Sequence, residues 1–179
     1  MLCITIPETE YFDSEKNEFI KIKEQNIRLE HSLVSISKWE AKWKTPFLEK
    51  KPKTREQSID YIKIMTITQN VNPIVYQYMS DNIINTVQNY IDDSMTATKI
   101  KAYAKPGGNK IITSEVIYYW MTAFNIPFEC EKWHLNRLLT LIEICNIENS
   151  PKKKMSRNSV YSRNDAINAS RRSKMNSKG

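Results

Sequence analysis

The chain has 179 residues, 40% of them apolar and 26% charged, enough to build one domain with a proper core and ordinary for a globular protein. Its net charge of +7 is concentrated at one end. Residues 151–179 hold nine lysines and arginines against a single acid, Asp165, and the first 150 residues are close to neutral, so the body lacks the basic surface of a nucleic-acid-binding domain.

Leu2 to Ile6 reads as a short strand ended by Pro7, and Phe19, Ile20, Ile22, Ile27 and Leu29 as a second strand after the acidic stretch ETEYFDSEKNE. Together they predict an N-terminal hairpin around a polar loop. In SISKWEAKWKTPFL, Ser37 with Glu40 forms a capping-box pattern. A helix is expected from Lys38 to Lys44, stopped by Pro46. Ile36, Trp39, Trp43 and Phe47 fall at offsets 0, 3, 7 and 11, one helical face. Core packing is the plainer reading of that face. At the edge of the domain it would instead dock a partner, since tryptophan is enriched at binding hot spots.

Thr54 with Gln57 is a second capping box, and the helix it opens should run to Thr66 with Ile59, Ile62 and Met65 inward. Asn72–Pro73 starts a short helix. Ser80 starts a longer one carrying Ile83, Ile84, Val87, Tyr90 and Ile91. KPGGNK at 105–110 predicts a turn within a loop or small hairpin. Ser114 should cap EVIYYWMTAFN, apolar almost all round and therefore read as a buried helix. Beyond Pro127, Cys130 to Ile147 is the strongest helical pattern, with Leu135, Leu138, Leu139, Ile142 and Cys145 as its stripe.

After Pro151 large apolar residues thin to Val160, Tyr161, Ile167 and two methionines. Such a segment buries too little area to offset its ordering entropy. It is expected to be a flexible basic tail, with Asp165 to Met175 becoming helical on a partner. The fold class is thus α+β and mostly α: a hairpin and a compact helical bundle over residues 1–150, then the tail over 151–179.

Few residues suggest chemistry. Cys130 and His134 are four apart on an expected helix, but zinc takes about four ligands, or three and water, and no second pair is apparent. Glu129/Glu131 and Asp92/Asp93 read as solvated or helix-end acids. KPGGNK lacks the spacing of a phosphate-binding loop. No nucleophile–base–orienter set emerges, so neither an enzyme nor a cofactor is expected. Three scattered cysteines make no disulfide framework. The start, MLCITIPETEYF, lacks a basic segment followed by a long apolar run, so it is not read as a signal peptide. No apolar stretch is long enough to span a membrane.

The stretches IRLEHSLVSISKWEAKWKTPFL, DYIKIMT, IITSEVIYYWMTAFNIPFECEKWHLNRLLTLI and ASRRSKMNSKG together resemble small proteins of tailed bacteriophages and prophages, most closely siphophage tail assembly chaperones. That resemblance implies a non-enzymatic protein of the host bacterial cytoplasm that binds the tape measure and tail tube proteins, with homo-oligomerisation as a further expectation. The expected contacts are Trp39, Trp43 and Phe47 on the body and Lys152, Lys153, Lys154, Arg171 and Arg172 on the tail. Two linked weak contacts would raise avidity. The lysine run PKKKM also suggests an A-rich slippery sequence and a frameshifted longer product. The alternatives are a structural virion component, such as a head–tail connector or tail completion protein, and an accessory protein binding nucleic acid through the tail. With one aromatic in the tail to stack on bases, a protein partner is favoured over nucleic acid.

Overall fold

The computed structural model describes residues 1–13, 17–100, 111–150 and 157–176. The KPGGNK turn and Lys152, Lys153 and Lys154 lie outside them. The chain divides into two units, Met1–Ile147 and Glu148–Gly179. The fold is α+β and mostly α: an N-terminal antiparallel β ribbon followed, among the described residues, by seven α-helices.

The ribbon consists of two ladders in one register. Strand β1 (Leu2–Ile6) pairs with β4 (Gln25–Leu29), and β2 (Thr9–Asp13) pairs with β3 (Glu18–Ile22). Ile6 faces Gln25 and, three residues on, Thr9 faces Ile22. Pro7 has no N–H for a ladder, and pairing lapses beside it. The expected hairpin is present, but the expected loop is shorter: Thr9–Asp13, placed in the loop by its acids, is strand. Ile4, Ile6, Ile22, Ile27 and Leu29 are buried in the core. Phe12 and Phe19 face each other on the ribbon with ring centroids 5.1 Å apart and remain exposed.

Helix α1 spans Leu33–Trp43, beginning five residues earlier than expected. Its N-cap is Ser32, whose Oγ accepts from the Ser35 N–H at 3.3 Å. Ser37 and Glu40 are therefore interior, and the Glu40 carboxylate is free for another task. It is buried, accepting the Phe47 N–H on Oε1 and the Ser114 N–H on Oε2, both at 2.7 Å. One side chain thus ties the end of α1 to the chain that follows it and to the start of α5.

Helix α2 (Arg55–Met65) opens with the Thr54–Gln57 capping box, both reciprocal bonds present. Tyr61, Ile62 and Met65 are buried; Ile59 is half-buried. Helix α3 (Ile74–Gln77) follows Asn72, whose Oδ1 accepts the Ile74 N–H. Helix α4 (Asp81–Asp92) buries Val87 and Tyr90.

Helix α5 (Ser114–Ala123) starts from Thr113, so Ser114 lies inside it rather than capping it. It is not buried all round. Only Ser114, Ile117 and Met121 are enclosed, whereas Tyr119 is 69% exposed. The expected continuous helix from Cys130 is also interrupted. Phe128–Lys132 forms a 3-10 turn, Trp133 is extended, and α6 runs from Leu135 to Asn149 with Leu135, Leu138 and Ile142 buried. The break arises because the His134 ring accepts a backbone N–H at the start of α6, as a cap does.

In the second unit α7 spans Arg157–Met175 and has no buried residue. Asp165 to Met175, expected to be helical on a partner, lies within this helix, which begins eight residues earlier.

Candidate functional site

Trp39 and Phe47, candidate partner contacts on a face whose plainer reading is core packing, are core. Trp39 is 1% exposed and its Nε1–H donates to the Gln57 carbonyl at 3.1 Å. Phe47 packs edge-on against Trp39, with centroids 5.1 Å apart, and against Tyr61 at 4.2 Å. Helix α2 covers this face because its own apolar residues need the same cover. Trp43, one turn further along, is only partly buried. Its Nε1–H donates to Asp60 Oδ2 at 2.8 Å. The indole edges a groove of about 490 Å³ shared with Ile59, Pro73 and Tyr76 and rimmed by Arg55 and Lys63. Of the three aromatics expected at a docking surface, Trp43 alone edges a surface groove.

Beneath this layer sits a pair of histidines. His31 is 1% exposed, with its Nδ1 2.6 Å from the Tyr61 hydroxyl. Burial, with smaller contributions from His134 and Lys53, pushes its pKa down to about 3. Burial also raises the Tyr61 phenol well above its ordinary value, so both groups are neutral. The two neutral groups share one hydrogen bond, in which the donor is set by the imidazole tautomer. The His134 ring lies 5.0 Å away, edge-on. Its Nδ1 accepts the Asn136 N–H at 3.3 Å, which leaves Nε2–H to donate to the Tyr90 carbonyl at 3.0 Å. Burial lowers this histidine too. The Asn136 amide donates in turn to the carbonyls of Ile91 and Asp93, closing the end of α4.

This arrangement is structural. A histidine held near a pKa of 3 is a poor base at neutral pH, and both nitrogens of His134 are engaged. His134 and Cys130 do not share a helix face, because the 3-10 turn and the extended Trp133 intervene. Among the described residues no three metal-ligating side chains gather. Three of the four paired acids are occupied locally: Glu131 accepts from the Tyr118 hydroxyl, Asp92 from Gln88 and Asp93 from the Met95 N–H.

A cavity of about 360 Å³ opens beside His31, between the segment that joins α1 to α2, α2 itself and α4. Lys53 lines it, with its Nζ 4.1 Å from the Phe47 ring centroid. The sequence reading passed over this cavity, since its walls come from distant segments and Lys53 looks like any linker lysine. Burial lowers the Lys53 pKa from its ordinary value.

Helix α7 carries Arg171 and Arg172 on its exposed surface. At 100° per residue, Val160, Tyr161, Ile167 and Met175 fall within about 120° of arc. The same half of the helix carries Arg157, Arg163, Arg171, Arg172 and Lys174, and the opposite half is mostly serine, alanine and asparagine. Periodicity could have found this face, but the low apolar content of the segment masked it. Among the described residues no helix is long and apolar enough to cross a membrane. Compared with models of protein families, with curated proteins and with solved structures, the chain has no match.

Proposed function

We propose that this chain is a non-enzymatic binding protein that acts as a tail assembly chaperone of a bacteriophage, engaging the tape measure or tail tube protein through α7. The phage setting rests on the resemblance of the sequence strings. The binding mode rests on one observation: α7 is a 19-residue helix with no buried residue, and it carries its apolar and cationic side chains on one face. A free helix of this length is marginal in water and gains stability when a partner covers its face. Docking such a face into an apolar groove is a recurrent mode of recognition. The four apolar residues favour a protein partner over nucleic acid, because phosphate contacts would use the cations and leave Val160 and Ile167 in water.

The test is co-expression of the full chain with tape measure, tail tube and capsid proteins, followed by capture after nuclease treatment. The reading expects recovery of tape measure or tail tube protein, and loss of that recovery in a Val160→Ser, Ile167→Ser variant. Recovery of nucleic acid alone would overturn it. Presence of the protein in finished virions in stoichiometric amount would instead assign a structural virion component.

A further inference from the structure

The face of α7 mixes its cations with its apolar residues rather than keeping them apart. At 100° per residue, Arg157 and Arg171 fall inside the arc set by Val160, Tyr161, Ile167 and Met175. Arg163 and Lys174 border that arc on one side and Arg172 on the other. The helix has one acid, Asp165, which lies outside the arc beyond Arg172. With that carboxylate counted against the five cations, α7 still carries a net charge of +4. Asp165 stands eight residues from Arg157 and six from Arg171, about 12 and 9 Å along the axis. Both separations exceed the three or four residues over which helical ion pairs form. Val160 and Ile167 are seven residues apart, and Lys174 follows after another seven. A seven-residue step is that of a seam between two packed helices.

A purely apolar surface does not suit this face. Covering Val160 and Ile167 also takes Arg157 and Arg171 out of water, and a guanidinium so covered needs a carboxylate. Arginine favours that pairing because its planar fork meets a carboxylate through two hydrogen bonds. Arg157 and Arg171 are 14 residues apart in sequence, about 21 Å along the axis. We propose that the segment bound by α7 is an acidic amphipathic helix, an inference that rests on the client-binding role of α7 proposed above. Its apolar stripe packs on Val160, Ile167 and Met175. Two carboxylates, 14 residues apart in the stripe, meet Arg157 and Arg171, and acids along its edges face Arg163, Arg172 and Lys174.

The test is a titration of the full chain with three synthetic helical peptides, followed by amide chemical shifts. The peptides share one apolar stripe and carry glutamate, glutamine or lysine at the two stripe positions and along the edges. The glutamate peptide is expected to shift resonances of Arg157–Met175 saturably. It should bind at least about tenfold more tightly than the glutamine peptide, the size of one charge-assisted hydrogen bond. The lysine peptide should not bind, and the preference for glutamate should shrink as salt rises from about 50 to 300 mM. Polyglutamate, which has the charge without the stripe, should bind at least about tenfold more weakly than the glutamate peptide. Arg157→Gln with Arg171→Gln should reduce the preference for glutamate over glutamine. Equal binding of those two peptides, or no saturable shift in α7, would overturn the proposal. So would polyglutamate or a single-stranded oligonucleotide of equal charge binding as tightly as the glutamate peptide. Capture of tape measure or tail tube protein by the same chain separates this inference from the reading beneath it. Capture without a preference for glutamate keeps the client role and removes the acidic partner. Preference for glutamate without capture keeps the acidic partner and removes the tail proteins as its source. The peptide comparison needs no variant of the chain.

Discussion

Trp39 in the body and Tyr161 in the C-terminal helix are both large aromatics on helices studded with cations, yet one is 1% exposed and the other 65%. The difference lies in what each helix has to pack against. Helix α1 meets α2, which covers the Trp39 ring and offers the Gln57 carbonyl to its N–H. Helix α7 has an apolar face of similar width, but none of its residues is buried. An amphipathic pattern says that a face will be covered; only the contacts say whether the cover lies within the chain. In the body the pattern is covered by neighbouring helices, and in α7 no residue is buried.

Substitutions should separate the two cases, beginning with the body. Trp39→Ala should destabilise the fold by about 3–5 kcal/mol in urea unfolding, the usual cost of emptying a fully buried tryptophan site. A cost below about 1 kcal/mol would break the comparison, since surface substitutions behave that way. Glu40→Ala should cost about 3 kcal/mol, because two buried backbone N–H groups lose their acceptor together.

Acid should act on the body through His31. Its folded pKa of about 3 lies below the ordinary 6.5, so between these values the unfolded chain holds more protons. Stability from this group is complete above about pH 6.5 and falls as the pH drops through the window, by up to about 1.4 kcal/mol per pH unit. His134 is shifted in the same direction and adds to the slope. Unfolding measured from pH 7 to 4 should show the slope, and His31→Leu should reduce it.

The smallest effect on stability belongs to α7. Arg171→Glu with Arg172→Glu should change the urea midpoint of the body by less than the equivalent of about 0.5 kcal/mol. The same pair should abolish or sharply weaken client capture. Unchanged capture would show that the cationic face is only solvated surface.

Much of this fold was legible. The Thr54–Gln57 box, the short helix after Asn72 and the stripes of α4 and α6 follow from spacing and caps that act locally. What escaped depended on distant partners. Ser37 and Glu40 satisfy the capping pattern, but Ser32 provides the N-cap, and the Glu40 carboxylate is drawn to Ser114, 74 residues away. Cys130 and His134 read as one helix because the His134 cap at α6 is a tertiary arrangement, held by the Tyr90 carbonyl. The aromatic face of α1 was readable as a face, but its cover by α2 was not. The Lys53 cavity left no local signal.

The central claim is that α7 is the client-binding element and the body its support. Amide hydrogen exchange of the full chain, alone and with the tape measure protein, tests it most directly. The account expects slow exchange in α1, α2, α4 and α6 in both samples, and fast exchange across Arg157–Met175 that slows when the client is added. Exchange in α7 that is unchanged by a client that does bind, with new protection confined to the body, would contradict it.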